Sequence, residues 1–493
     1  MSDYIQPSLI SQVCNLQDAN RWAEHTWAVT NSLLKPDPSH ETPLIGMADK
    51  LQAAPPNTIS SAFSGVGCAE VAARSSLLAL MHFTKRTFAH SVLWALEVNE
   101  ESRHELACLP EPPKCCFINM LEGINNKVRN VLITKAPTMH FDDLRKVFKA
   151  KDIIVEVMPC ATHLGMCPCT IARIHVAGTE CVAWSTLGSR VGASGKSVLA
   201  MLVWFAQRRL LQEDVIYHEN VPDFPFSLLQ QELGDMYIVR PEDSVIVCAS
   251  DCGQPYRRNR RLTIMFHKRL AVARLMWSWT DFAERARREV NCNYSIYFRA
   301  DEEALAAELA WGKSRSQRRR PENSSAPRVG EDSEWDKCLT DGELQRKQQY
   351  LTMMNDTGVC NISQDPEGRP TYTRGLPLLN TITKHSDLLY GVAQRRWLTP
   401  CELALVHMLP FECDREFFWF GAKSSYMTDR EALGLPPRRR LEIRNQIGNG
   451  MSICCIGVGW SFIFMSIAHL TGSSSELGPE SSLVRELKRQ RST

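Results

Sequence analysis

The chain has 493 residues, 44% apolar and 23% charged, which fits a soluble globular protein with a large core and more than one domain. A formal net charge of +2 excludes a global basic field, so any nucleic-acid surface must be local. The 18 cysteines are scattered, with adjacent pairs at Cys115–Cys116 and Cys454–Cys455. Together with the lack of a signal peptide, they imply a reducing compartment rather than a disulfide framework. Cys160, Cys167 and Cys169 raise the idea of a metal site. No second spaced pair or His pair completes one, so they read as incidental and no metal is expected.

Residues 1–56 hold a candidate amphipathic helix, Leu9 to Leu34, and a Pro-rich run ending at Pro55–Pro56. They read as an N-terminal extension and linker without chemistry. From Asn57 the pattern becomes strand (Ile59 to Phe63), turn (Phe63-Ser64-Gly65-Val66-Gly67-Cys68-Ala69-Glu70) and apolar helix (Val71 to Phe83). Gly65 and Gly67 would let the backbone approach a ligand, and the helix start offers free N–H groups; a plain βα turn has the same pattern. The strand Ser91 to Glu97 ends on an acid, where such folds hold the hydroxyls of a ribose, although a solvated strand-end charge would look alike. The strand Lys114 to Ile118 ends at Asn119, which could offer an amide to an adenine edge. These three tips resemble a pocket for an adenosine cofactor.

Residues 120–170 form a long insertion of mixed helix and strand character. A short buried strand, Ile174 to Ala177, then leads to Cys181, a Gly- and Ser-punctuated loop closing at Lys196, and an apolar helix, Ser197 to Leu211. A thiol at the carboxyl end of a strand can serve as a nucleophile, or it can be one more small buried hydrophobe. The strand Asp214 to Val221 ends in Glu219-Asn220-Val221, so a carboxylate stands on the neighbouring tip. Ser244 to Ala249 is a further strand. Arg257, Arg258, Arg260 and Arg261 precede the closing strand, Leu262 to Phe266, as anion and base contacts or as a solvated basic turn. Met451 to Leu470 has the length and apolar character of a membrane span, but its glycines and serines suit a buried helix, and no membrane is expected.

In order, these motifs resemble the cytosine-5 DNA methyltransferases. Phe63 to Gly67 is similar to that family's first cofactor motif, Glu97 to its ribose-binding acid, and Cys181 to its nucleophile. Glu219-Asn220-Val221 is similar to its ENV motif, and Arg258 with Arg260 to its paired arginines. Arg396-Trp-Leu-Thr-Pro-Cys-Glu402 resembles the ninth motif and Gln446-Ile-Gly-Asn-Gly450 the tenth. Thr381 to Lys384 resembles the end of the target-recognition region. The resemblance spans roughly residues 57–472.

It implies a doubly wound, Rossmann-like α/β methyltransferase sheet with a smaller inserted target-recognition domain. The divisions are an extension (1–56), a catalytic core (57–270), a target-recognition domain (271–390), a return to the core (391–472) and a disordered tail (473–493). The implied cofactor is S-adenosyl-L-methionine, bound by Phe63, Ser64, Gly65, Val66, Gly67, Glu97, Asn119 and Asn449. The implied partner is double-stranded DNA, contacted by Asn220, Ser185, Thr381 and Thr383, with a nuclear location in a eukaryote. The implied catalytic residues are Cys181 attacking C6 of a flipped cytosine, Glu219 at N3 and N4, and Arg260 at O2 with Arg258 nearby, beneath a lid from Ser185 to Lys196. A basic run, Lys313, Arg315, Arg318, Arg319 and Arg320, is a phosphate or nuclear-targeting patch, or a solvated loop.

The chain also departs from the family. Its Pro-Cys-Gln is Glu180-Cys181-Val182 here, and Glu180 would tend to raise the thiol pKa. The Gln before the arginines is Tyr256, and the acid before the first glycine turn is Ser61. A catalytically inactive protein that binds DNA or cofactor, and an RNA cytosine-5 methyltransferase, are the alternatives.

Overall fold

Apolar side chains alternate along the central strands, and the alternation separates two cores on either face of one sheet. The computed structural model describes residues 21–36, 38–149, 153–181, 184, 198–270, 277–317, 333–354, 358–368, 371–373, 378–383, 386–409 and 440–472. The strands are β1 (Asn57–Ala62), β2 (His90–Leu96), β3 (Cys115–Phe117), β4 (Val157–Cys160), β5 (Gly165–Pro168), β6 (Ile174–Gly178), β7 (Val215–Asn220), β8 (Tyr237–Ile238), β9 (Ser244–Val247) and β10 (Arg260–His267). They form a ten-stranded sheet ordered β5-β4-β3-β2-β1-β6-β7-β10-β8, with β9 also on β10. From β3 to β7 the pairs are parallel. β10 is antiparallel to β7, and β4–β5 is an antiparallel hairpin at the far edge. The doubly wound α/β sheet expected from the sequence is present, and its winding reverses between β1 and β6. Ligands bind such sheets in that crevice, beyond the carboxyl ends of the strands.

Ile59, Val176, Tyr217 and Ile264 face one core; Ala62, Leu96, Ala177, Ile216 and Met265 face the other. Helix α1 (Trp22–Leu33), α2 (Pro43–Ala53) and α3 (Cys68–Thr84) lie over the first face, and α4 (Val198–Leu211) covers the second. Two further helices join the first face, α5 (Trp279–Arg285) and α6 (Ile453–Gly472), and α6 packs against α1, α2 and α3.

Within the expected extension and linker, α1 and α2 pack on the main core. Trp22 and Trp27 are buried, the Trp27 indole donates to the Ser76 carbonyl, and a Cβ at Gly457 of α6 would overlap the Trp22 ring. Two large aromatics at helical spacing are core material, whatever the Pro-rich run that follows them. Residues Ile453–Leu470 of α6 are long and apolar enough to cross a membrane, and 89% of this stretch is buried inside the protein, as in a core helix.

A second, three-stranded antiparallel sheet contains β11 (Val359–Asn361), β12 (Leu389–Gly391) and β13 (Arg396–Trp397). It shares a separate core with the surrounding helices, built on Leu339, Tyr350, Ile362 and Trp397. Its packing does not follow the expected limits 271–390. Trp279 and Phe282 of α5 pack with tilted rings against Phe462 in the main core, while Trp397 belongs to the small one. The tail at 473–493 lies outside the described residues.

Candidate active site

Parallel strands end at one rim, and the sequence places glycine, acid and thiol just past those ends. β1 and β2 pair as far as Ala62 and Leu96, so the turn after β1 and Glu97 emerge at the same level. Phe63 takes a left-handed φ of +56°, as do Gly65 (+56°) and Gly67 (+83°). For a bulky residue this strain is held only where the surroundings fix it. The Ser64 amide donates to the Leu96 carbonyl, and the Gly65 amide to Glu97 Oε2 at 2.8 Å. Asn99 N–H donates to Glu97 Oε1 at 2.8 Å. Burial pushes the Glu97 carboxyl up, and the Asn99 and Gly65 amides, the Arg103 charge and the Val98 amide pull it back. The carboxylate keeps a lone pair for a further donor. A Cβ at Gly65 would meet nothing within 4 Å, so the turn borders open space, while one at Gly67 would crowd Leu109. Val66 is buried beneath. This fits a nucleoside whose hydroxyls bond Glu97 and whose charged end approaches the turn.

Ser61 donates to Glu70 Oε1, and the Glu70 carboxyl, buried in the first turn of α3, is pushed up by burial to about 7. Sequence reading did not assign Glu70; the signal was an acid among Cys68, Ala69, Ala72 and Ala73 on an apolar helix face. Asn119, expected at adenine, accepts from the Leu121 amide and caps the turn after β3. Asn449 is exposed at the end of the Arg440–Asn449 helix, next to Gly450.

On the other side of the crevice, β6 and β7 pair so that Gly178 stands beside Glu219. A Cβ at Gly178 would meet both Met451 and the Glu219 carboxylate, so only glycine lets Met451 lie across the tip. Because β10 is antiparallel, its first residue reaches the same rim, and Arg260 Nε lies 2.8 Å from Glu219 Oε1. The Cys181 thiol is half-buried. Burial pushes it up, Arg260 pulls it down, Glu219 pushes it up and Arg258 pulls it down. The carboxylate felt by the thiol is thus Glu219; the Glu180 carboxyl is itself pushed up, by burial and then by the Glu97 charge.

Several expected contact residues are committed elsewhere. The Asn220 amide donates to the Thr179 carbonyl and hydroxyl, both at 2.9 Å, and its oxygen accepts from Val221 N–H. It staples the tips of β6 and β7 rather than facing the crevice. Thr179, which sequence reading passed over, also bonds His218 at 2.7 Å. Arg258 is buried, donating to the carbonyls of Ile382 (3.1 Å) and Gly450 (2.6 Å). It ties the 378–383 segment and the 446–450 motif to the sheet and so acts as a positioning residue. Thr381 donates to the Arg257 carbonyl, and Thr383 shares a hydroxyl contact with Ser386. Tyr256, fully buried, bonds His407 at 2.9 Å.

The run Arg396 to Glu402 leads into a helix start. Thr399 and Glu402 cap each other ahead of Pro400, and Arg396 forks onto the Glu402 carboxylate at 2.7 Å twice. Lys313 and Arg315 of the basic run pair with Glu334 and Glu343. Ser185, Val182, Lys384, the lid to Lys196 and Arg318 to Arg320 lie outside the described residues. Trp184 is described: its amide bonds the Cys181 carbonyl, and its ring packs edge-on to Phe224.

No family model and no curated protein matches the chain. Among solved structures it is similar to a putative DNA modification methyltransferase from an E. coli prophage, at 13% identity and TM-score 0.43, covering 84% of this chain and 99% of that one. It is also similar to the methyltransferase EhMeth of Entamoeba histolytica (12%, TM-score 0.42, 83% and 98% covered). A third is the Dnmt2 methyltransferase of S. pombe (10%, TM-score 0.42, 84% and 99% covered).

Proposed function

We propose that this chain is an S-adenosyl-L-methionine-dependent methyltransferase acting on C5 of cytosine in double-stranded DNA, nuclear if its source is eukaryotic. The observation that carries the reading is the meeting, on one rim, of the Gly65–Glu97 pair and of a thiol beside the Glu219–Arg260 ion pair. Glu97 and the open Gly65 turn would hold the cofactor, with Asn119 and Asn449 at its margins. Bound there, the cofactor supplies an electrophilic methyl group.

Carbon C5 of cytosine is a poor nucleophile, so the residues on the other side of the crevice must activate it. The Cys181 sulfur adds to C6 of a base turned out of the duplex, forming the S–C6 bond and moving the π-electron pair toward C5. The Glu219 carboxylate accepts from N4–H, and its charge favours a proton at N3, taken up as the thiol gives up its own; Arg260 bonds O2, stabilising the enamine. C5 takes the methyl group from the bound cofactor, which leaves as the neutral thioether; C5 then loses its proton to a base, and the S–C6 electron pair returns to the Cys181 sulfur. Asn220, Thr179 and Arg258 hold these groups in place without touching the base.

A second reading, a protein that binds without turnover, is favoured by the burial that pushes the Cys181 thiol up. Trapping on duplex DNA containing 5-fluorocytosine, with S-adenosyl-L-methionine, separates the two. A denaturation-resistant adduct in the wild type and none in Cys181→Ser is the expected result. No adduct with DNA and cofactor still bound would favour the binding protein, and adduct only on RNA would move the substrate.

A further inference from the structure

Away from this rim, four side chains of the β3 edge converge without any part in the proposed chemistry. Cys115 opens β3, Cys160 closes β4, His163 lies in the turn that follows, and Cys167 is in β5. The hairpin register sets Met158 opposite Cys167 and Cys160 opposite Gly165, and β4 meets β3 through Phe117 and Cys160. Three strands therefore deliver ligand-type atoms to one point, all within 4.8 Å of one another. The sulfurs of Cys167, Cys160 and Cys115 stand 3.3, 3.4 and 3.6 Å from the same atom, His163 Nδ1.

One imidazole nitrogen carries either one proton or one lone pair, so it cannot bond three thiols at once. Ligands around a shared tetrahedral cation meet this geometry directly. Zinc with Zn–S near ~2.3 Å and Zn–N near ~2.0 Å holds its sulfur and nitrogen ligands about 3.5 Å apart.

We propose that Cys115, Cys160, His163 and Cys167 form a structural zinc site that fastens the β4–β5 hairpin to β3. The sequence shows a Cys-x2-His-x3-Cys run, but its fourth member stands far upstream, which is why the cysteines read as incidental. Cys169 is not a ligand; it is buried in the second core. Four protein ligands leave no open position, so the metal fixes structure and does not activate water. Each coordinating thiol gives up its proton as the S–Zn bond forms, while His163 binds neutral through Nδ1, so acid releases the metal. The inference does not depend on the proposed function.

The test is metal analysis of the full chain purified without chelator or added metal. About one zinc per chain is expected, lost in His163→Ala and Cys167→Ser. It should persist in Cys454→Ser, which disrupts a separate buried trio, Cys252, Cys454 and Cys455. Should the first two variants fail to fold, stripped wild-type protein titrated with cobalt decides instead, through a sulfur-to-cobalt charge-transfer band with tetrahedral d–d bands. Folded protein with neither zinc nor that band overturns the proposal, as does full zinc content in folded His163→Ala and Cys167→Ser.

Discussion

Glu219→Gln should make Cys181 more reactive and the protein worse at methyl transfer. The Glu219 carboxylate pushes the thiol up while Arg260, 2.8 Å from that carboxylate, pulls it down. Both side chains are mostly shielded, at 11% and 13% exposed, so their charges act on the sulfur with little screening. Removing the carboxylate charge leaves Arg260 to act on the thiol alone, and the thiol pKa falls. Each unit by which a thiol pKa falls raises the thiolate fraction about tenfold at a pH below the pKa. The thiolate is then intrinsically weaker, with a Brønsted coefficient of about 0.4–0.5, so alkylation gains only about threefold per unit. Arg260→Gln has the opposite sign and should slow alkylation by a similar factor. The assay is iodoacetamide labelling near neutral pH, with the Cys181 peptide quantified by mass spectrometry and folding checked by circular dichroism. Methyl transfer in Glu219→Gln should fall by about 10²-fold or more, since the carboxylate that favours a proton at N3 is gone. If both variants move the labelling rate in the same direction, access rather than charge governs the thiol, and the electrostatic reasoning is refuted.

Three further outcomes follow from the packing. Gly457→Ala drives a methyl into the Trp22 ring and should cost about 1–3 kcal/mol, seen as a lower melting temperature; an unchanged melt would detach α1 from the core. Arg258→Ala removes a buried guanidinium from two carbonyls and should lower stability by roughly 3 kcal/mol in chemical denaturation, with Arg258→Lys recovering only part of it. Glu70 has a folded pKa raised to about 7, so between the ordinary carboxyl range and 7 the folded state holds the extra proton and stability falls as pH rises. Glu70→Gln should therefore match wild type near pH 5 and exceed it near pH 8, by up to roughly 3 kcal/mol; equal pH profiles would place the titration elsewhere.

The strand tips were legible because they depend on local pattern. Ile174 to Ala177 and the strand ending at Glu219 are short apolar runs with chemistry directly after them, and the structure pairs them in parallel. Partnerships across long separations were not legible. Asn220 and Arg258 carry the residue types of contacts, yet their amide and guanidinium are used by Thr179, Ile382 and Gly450, which no spacing reveals. Trp22 and Trp27 looked peripheral because the helix that buries them lies at the other end of the chain. Cys115 looked unrelated to Cys160 and Cys167 because only the β3–β4 register brings them together.

The long apolar helix α6 has a consequence for synthesis. It seals one face of the sheet, where Tyr217 bonds the Ile456 carbonyl and Ser76 meets Ser461 across 385 residues of chain. Until that helix leaves the ribosome, the nascent chain carries the apolar faces of β1, β6, β7, α1 and α3 without their cover. Such non-local closure folds slowly and exposes aggregation-prone surface meanwhile. Translation that stalls before residue 453 would thus release most of the rim residues on a protein unable to close, a natural client for chaperones and proteases.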